Sequence, residues 1–120
     1  MIEREDLCAA LEAELVESRA RYEVAQDDAC LSYVYAAETK TLIHVCQSLE
    51  DGMSVAELAA KAREKIPELE QAMREEDEHP TFDWDNEHYH YLCYEGQRDA
   101  WRAVQRILLL APGRQHRKFE

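Results

Sequence analysis

Apolar residues recur along most of this chain at steps of three and four, the spacing that lays a stripe along one face of an α-helix. In the first such stretch Leu7, Leu11, Leu15, Ser18 and Tyr22 share a face that Cys8 widens, while Glu3, Glu5, Glu12, Glu14, Glu17, Arg19 and Arg21 occupy the others. A second stripe runs through Leu31, Val34, Tyr35, Leu42, Val45, Cys46 and Leu49, and Glu38 interrupts it. Asp27 and Asp28 supply a candidate cap for this second helix. No Gly or Pro separates Tyr22 from Leu31, so one continuous helix is the alternative; ordinary helix length favours a break near Gln26–Asp28.

The next start signal is Ser54-Val55-Ala56-Glu57, a capping box followed by an apolar face of Val55, Leu58, Ala59, Ala62 and Ile66. Pro67 lacks an amide proton and restricts Ile66, which predicts a kink or a stop there and a further helix over Pro67–Asp77 with Leu69 and Met73 inward. The last periodic stretch, Asn86–Leu110, places Leu92, Trp101, Val104, Leu108 and Ala111 on one face, with Asp83 or Asp85 as cap. Gly96 weakens its middle by about 1 kcal/mol relative to Ala. Residues 87–94, with Tyr89, Tyr91 and Leu92-Cys93-Tyr94, also suit a short strand.

Polar turns at Glu50-Asp51-Gly52-Met53, Glu78-His79-Pro80-Thr81 and Ala111-Pro112-Gly113 separate these stretches. Short connections between four or five amphipathic helices predict an all-α fold, an antiparallel up-down bundle filling a single domain over residues 1–111, followed by a basic C-terminal tail over 112–120.

Composition agrees with a folded domain: 46% hydrophobic and 33% charged residues, with three Gly and three Pro in 120. The longest apolar run is Ile107–Ala111, far short of the roughly 20 residues a membrane span requires, and Met1–Cys8 lacks the form of a signal peptide. Both point to a cytoplasmic protein. Cys8, Cys30, Cys46 and Cys93 form no CxxC pair and lie among apolar residues, so free buried thiols are expected.

The net charge of −12 argues against direct binding to nucleic acid or to an anionic membrane, and it directs the search toward a cationic partner. The acid is concentrated: residues 68–95 hold ten Asp and Glu and one basic residue, Arg74. The same stretch carries Phe82, Trp84, Tyr89, Tyr91 and Tyr94, half of the aromatic residues. One account makes it a solvated helix end and loop. The other makes it a recognition surface in which Glu75, Glu76, Asp77, Glu78, Asp83, Asp85 and Glu87 steer a basic partner protein toward the aromatic anchors Trp84, Tyr89 and Tyr91. Crowding so many carboxylates opposes folding through self-repulsion, which favours the second account.

His79, Glu87, His88 and His90 raise an alternative, a metal-binding bundle, because Glu87-x-x-His90 has the spacing of di-iron helices. The second Glu-x-x-His of such sites is missing, so no metal or other cofactor is expected. There is no phosphate-binding Gly-rich loop, no Gly-x-Ser-x-Gly and no His-Glu-x-x-His, and Cys46 and His44 diverge on one helix, so the chain reads as a non-enzyme.

Charge reverses toward the C-terminus, where Arg98, Arg102 and Arg106 make one helical ridge. This ridge pairs either with acidic faces within the monomer or with those of a second copy in a homodimer, the form a self-associating structural protein would take. In composition the chain resembles phage and plasmid inhibitors that occupy nucleic-acid-binding grooves, and nuclease-immunity proteins. The resemblance implies a role in blocking a nucleic-acid-handling protein.

Overall fold

The computed structural model describes residues 2–80 and 88–110, which form four helices: α1 (Arg4–Val24), α2 (Ala29–Glu50), α3 (Val55–Glu78) and α4 (Tyr89–Leu108). Local chemistry sets their ends. The Asp28 carboxylate accepts from the Leu31 amide at 2.9 Å, so the chain breaks before α2 instead of continuing from α1. At α3 the Ser54 hydroxyl accepts from the Glu57 amide at 3.0 Å and the Glu57 carboxylate accepts from the Ser54 amide at 3.2 Å, which completes the capping box. Gly52 supplies the φ of +110° that turns α2 into α3.

Two boundaries differ from the sequence reading. Pro67 neither stops nor divides α3, which runs unbroken from Val55 to Glu78. The lost amide frees the carbonyl of Arg63, and both residues lie on the exposed side of the helix, where water can take up that carbonyl. Residues 89–94 are helical, not a strand, and α4 opens at Tyr89 with no side-chain cap from His88. Asn86 and the expected caps Asp83 and Asp85 lie outside the described residues.

The helices alternate in direction along the chain, as an up-down bundle requires. The Arg4 guanidinium closes one end, donating to the carbonyls of Met53, at 2.8 Å, and Leu49, which ties the start of α1 to the α2–α3 turn. Most of the apolar core gathers in this half: Leu7 and Leu11 meet Leu42, Val45 and Leu49, Leu58 and Ala62, and Trp101, Val104 and Leu108. Each such aliphatic side chain contributes about 1.5–3 kcal/mol by burial.

The opposite half is more polar. Ser18 and Glu38 are its buried polar residues, joined across α1 and α2. The Ser18 hydroxyl and the Arg21 guanidinium both donate to Glu38 Oε1 at 2.7 Å, and the guanidinium carbon lies 6.0 Å from the centre of the Tyr35 ring. Because Ser18 spends its proton on the carboxylate, the Thr39 hydroxyl, 2.8 Å away, donates to Ser18. Glu38 therefore interrupts the stripe as a carboxylate whose Oε1 accepts from Ser18 and Arg21.

Helix α4 is the axis of the packing. It lies against both α2 and α3, which make almost no contact with each other. α2 and α4 run in the same direction and approach closely at Gly96, where an added β-carbon would lie 2.1 Å from the Val34 carbonyl oxygen. No described helix is long and apolar enough to cross a membrane.

Candidate functional site

The acidic stretch divides between two elements that the fold brings together. Glu75, Glu76, Asp77 and Glu78 form the last turn of α3. Because α3 and α4 run antiparallel, this turn lies beside the first turns of α4, and Tyr91 stands half-buried between them. Tyr91 and Asp77 line two clefts, one of about 190 Å³ with Met73 and Arg98, and one of about 330 Å³ with Pro80, His88 and Cys30.

Glu75, Asp77 and Glu78 are exposed. Among the described residues no cation pairs with any of the three; Glu75 accepts only from the Gln71 amide at 3.2 Å, and Arg74 turns to Gln71 at 2.7 Å. Arg74 and Arg98 line one cleft with Asp77 but make their hydrogen bonds to Gln71 and Asp99, and the rest of the basic ridge of α4 is engaged elsewhere. Arg102 reaches Glu70 of α3 at 2.8 Å, Arg106 lies 3.6 Å from Glu14 of α1, and Arg98 holds its neighbour Asp99 at 3.1 Å. The ridge thus has partners within the monomer, and the α3 end keeps its negative charge.

Tyr89 belongs to a different surface. Its ring lies 5.0 Å from that of Tyr33 on α2 and 5.4 Å from His90, both tilted, at the head of a trough between α2 and α4 of about 570 Å³. Consecutive residues of a helix point about 100° apart, so Tyr89 and Tyr91 diverge. The four expected site residues Asp83, Trp84, Asp85 and Glu87 lie outside the described residues.

The histidines separate in the same way. His79 is the exposed C-cap of α3, His88 lines the cleft with Tyr91, and His90 lines the trough. Among the described residues no three His, Cys, Asp or Glu side chains gather as metal ligands would, and Glu87 is not among those described. None of the four cysteines forms a disulfide, and against the expectation of buried thiols Cys8, Cys46 and Cys93 are half-buried and Cys30 is exposed. Burial pushes the Cys46 thiol upward, with help from Glu12 and the neighbouring Cys8; burial likewise raises Cys93, partly offset by a hydrogen bond from Tyr89 and the charge of Lys40. Neither is an activated nucleophile. His44 faces the trough while Cys46 turns toward α1, so the two diverge as their spacing requires.

The trough itself escaped the sequence reading. It continues past Thr41 and His44 into a second cavity of about 260 Å³, whose walls add Lys61 and Lys65 of α3 and whose floor is Trp101. Lys61 and Lys65 are one helical turn apart, a signal visible in the sequence, but only the tertiary packing sets their cavity beside the one that Lys40 of α2 lines. No known protein family, curated protein or solved structure matches the chain.

Proposed function

We propose that the protein is a non-enzymatic docking module that engages the basic surface of a partner protein, of the kind that handles nucleic acid, through the acidic end formed by α3 and α4. The observation that supports this reading most directly is the end of α3 itself: Glu75, Asp77 and Glu78 are exposed and, among the described residues, pair with no cation, and Asp77 shares two clefts with the half-buried Tyr91. Carboxylates without partners contribute nothing to the fold and repel one another. A basic partner would relieve that repulsion, be drawn in from a distance by the net charge of −12, and close over the tyrosine as an anchor.

Photo-crosslinking from position 78, with position 17 on α1 as control, tests the reading. The expected outcome is capture of a protein with a basic face from position 78 only, with binding abolished by Glu75→Lys, Asp77→Lys and Glu78→Lys together and weakened by salt. Capture that is equal from both positions, or affinity unchanged by the charge reversal, would overturn it.

A further inference from the structure

The charge average of −12 hides a surface of opposite sign. Of the four lysines in the chain, Lys40 lines the α2–α4 trough, Lys61 and Lys65 line the cavity that continues it, and the fourth, Lys118, lies outside the described residues. Among the described residues no carboxylate lines either of the two cavities that make up the trough. Several carboxylates of the same helices are engaged: Glu38 of α2 with Ser18 and Arg21, Glu57 in the capping box of α3, Glu68 with Lys65 at 3.6 Å, and Asp99 of α4 with Arg98. Lys40 and Lys61 have no ion-pair partner among the described residues. The arginines, by contrast, are mostly committed within the monomer.

The shape narrows what could occupy it. From Tyr33 to Ser48 the trough follows α2 for about 22 Å, four helical turns. At the Tyr33 end it lies between α2 and α4; at the Trp101 end α3 supplies a further wall, and α2 and α3 scarcely touch each other, with Tyr94, Gln97 and Trp101 of α4 among the lining residues. A helix laid in such a trough would complete the packing around α4, and helix-in-groove recognition uses this geometry. Ala36 and Ala37 leave room for close approach near the Tyr33 end.

We infer that the trough along α2 and α4, walled by α3 at its Trp101 end, is a docking groove for an acidic amphipathic helix of a partner protein, its apolar face on the half-buried Tyr94 and its carboxylates on Lys40, Lys61 and Lys65. This surface is separate from the acidic end, so the inference does not rest on the proposed function. A second copy of the chain is disfavoured, because two-fold pairing through the trough would set lysine against lysine. Nucleic acid is disfavoured as well: its dense phosphates would feel the repulsion of the whole chain, whereas a short helix with a few carboxylates feels chiefly the lysines within one Debye length, about 8 Å at physiological salt.

The test is an NMR titration of the isotopically labelled full chain with three probes: a synthetic amphipathic peptide of about 18 residues with a leucine stripe flanked by Glu, the same peptide with Lys for Glu, and a short oligothymidine. The acidic peptide should shift the amides of Lys40, Tyr94 and Gln97. Its Kd should rise about tenfold or more in Lys40→Glu, Lys61→Glu and Lys65→Glu combined, with helicity by circular dichroism retained. If that variant fails to fold, Lys61→Gln alone, at an exposed site, should still weaken binding measurably. The inference is overturned by no response up to about 1 mM peptide, by unchanged affinity in the folded lysine variants, or by a trough that answers the Lys peptide or the oligothymidine instead. A wild-type dimer in sedimentation that dissociates on the lysine reversals would assign the trough to a second copy and equally overturn it.

Discussion

Gly96 and Val34 lie so close that a β-carbon at position 96 would fall 2.1 Å from the Val34 carbonyl oxygen and 3.0 Å from the Glu38 amide nitrogen. Both neighbours are backbone and cannot rotate away. Gly96→Ala adds about 1 kcal/mol of intrinsic helix propensity, yet it must force α2 and α4 apart, which outweighs that gain. We expect a net loss of about 2–3 kcal/mol in urea unfolding, while an isolated α4 peptide carrying the same change becomes more helical. A variant as stable as the parent would mean that the two helices are not held together at Gly96.

Pro67 presents the reverse case. It sits exposed within a continuous helix, and nothing packs on it that alanine would lose. Pro67→Ala restores an amide that can donate to the Arg63 carbonyl and removes the ring from the helix interior. The unfolded chain gains some freedom, which offsets part of the benefit. The expected result is a stability increase of about 2 kcal/mol; a decrease would show that the proline shapes α3 in a way the packing depends on.

These two positions mark where sequence reasoning succeeds and fails. Caps and turns are legible because their chemistry is local: Asp28, Ser54 with Glu57, and Gly52 act on residues within a few places of themselves. Gly96 shows its penalty in the sequence but not its purpose, since Val34 is distant along the chain. Pro67 reads as a breaker because exposure of Arg63 has no local signature.

The same division governs the candidate site. The run Glu75–Glu78 is visible as a run, and its neighbourhood with Tyr91 follows once α3 and α4 are seen as an antiparallel pair. The trough is not visible, because the cavity lined by Lys40 and the one lined by Lys61 and Lys65 adjoin, through Thr41 and His44, only once α2 and α3 pack around α4. A net charge averaged over the chain conceals three lysines gathered on one face. Tyr89 and Tyr91, adjacent in the pattern, are sent to different surfaces by the helical turn between them.

The Arg21–Glu38 pair is expected to behave as a buried ion pair with one solvent-facing partner. The Arg21 side chain is 36% exposed and that of Glu38 10%. Arg21→Met leaves the Glu38 carboxylate with the Ser18 hydroxyl alone and should cost about 2 kcal/mol, less than a fully buried pair because water reaches the arginine. Arg21→Met with Glu38→Met should recover most of that loss, since two well-packed apolar side chains need no desolvated charge, and Ser18 keeps Thr39 as a partner. A double variant less stable than Arg21→Met alone would show that the carboxylate itself organises the polar half of the bundle.

The thiols set an alkaline limit on stability. Cys46 and Cys93 are both raised above the ordinary thiol value of 9.0, first of all by burial. A thiol with a higher pKa in the folded than in the unfolded state holds its proton longer when folded. That difference stabilises the fold fully below the unfolded-state titration, and it is lost as pH rises through the folded-state one. Unfolding in urea at pH 7.5 and at pH 10 should therefore show a decline that is smaller in Cys46→Ala with Cys93→Ala than in the parent, because alanine carries no proton to lose. At pH 8, iodoacetamide should modify the exposed Cys30 ahead of these two, whose thiolate fraction is suppressed. An alkaline decline of equal size in both proteins would trace it to other groups and remove the two thiols as its cause.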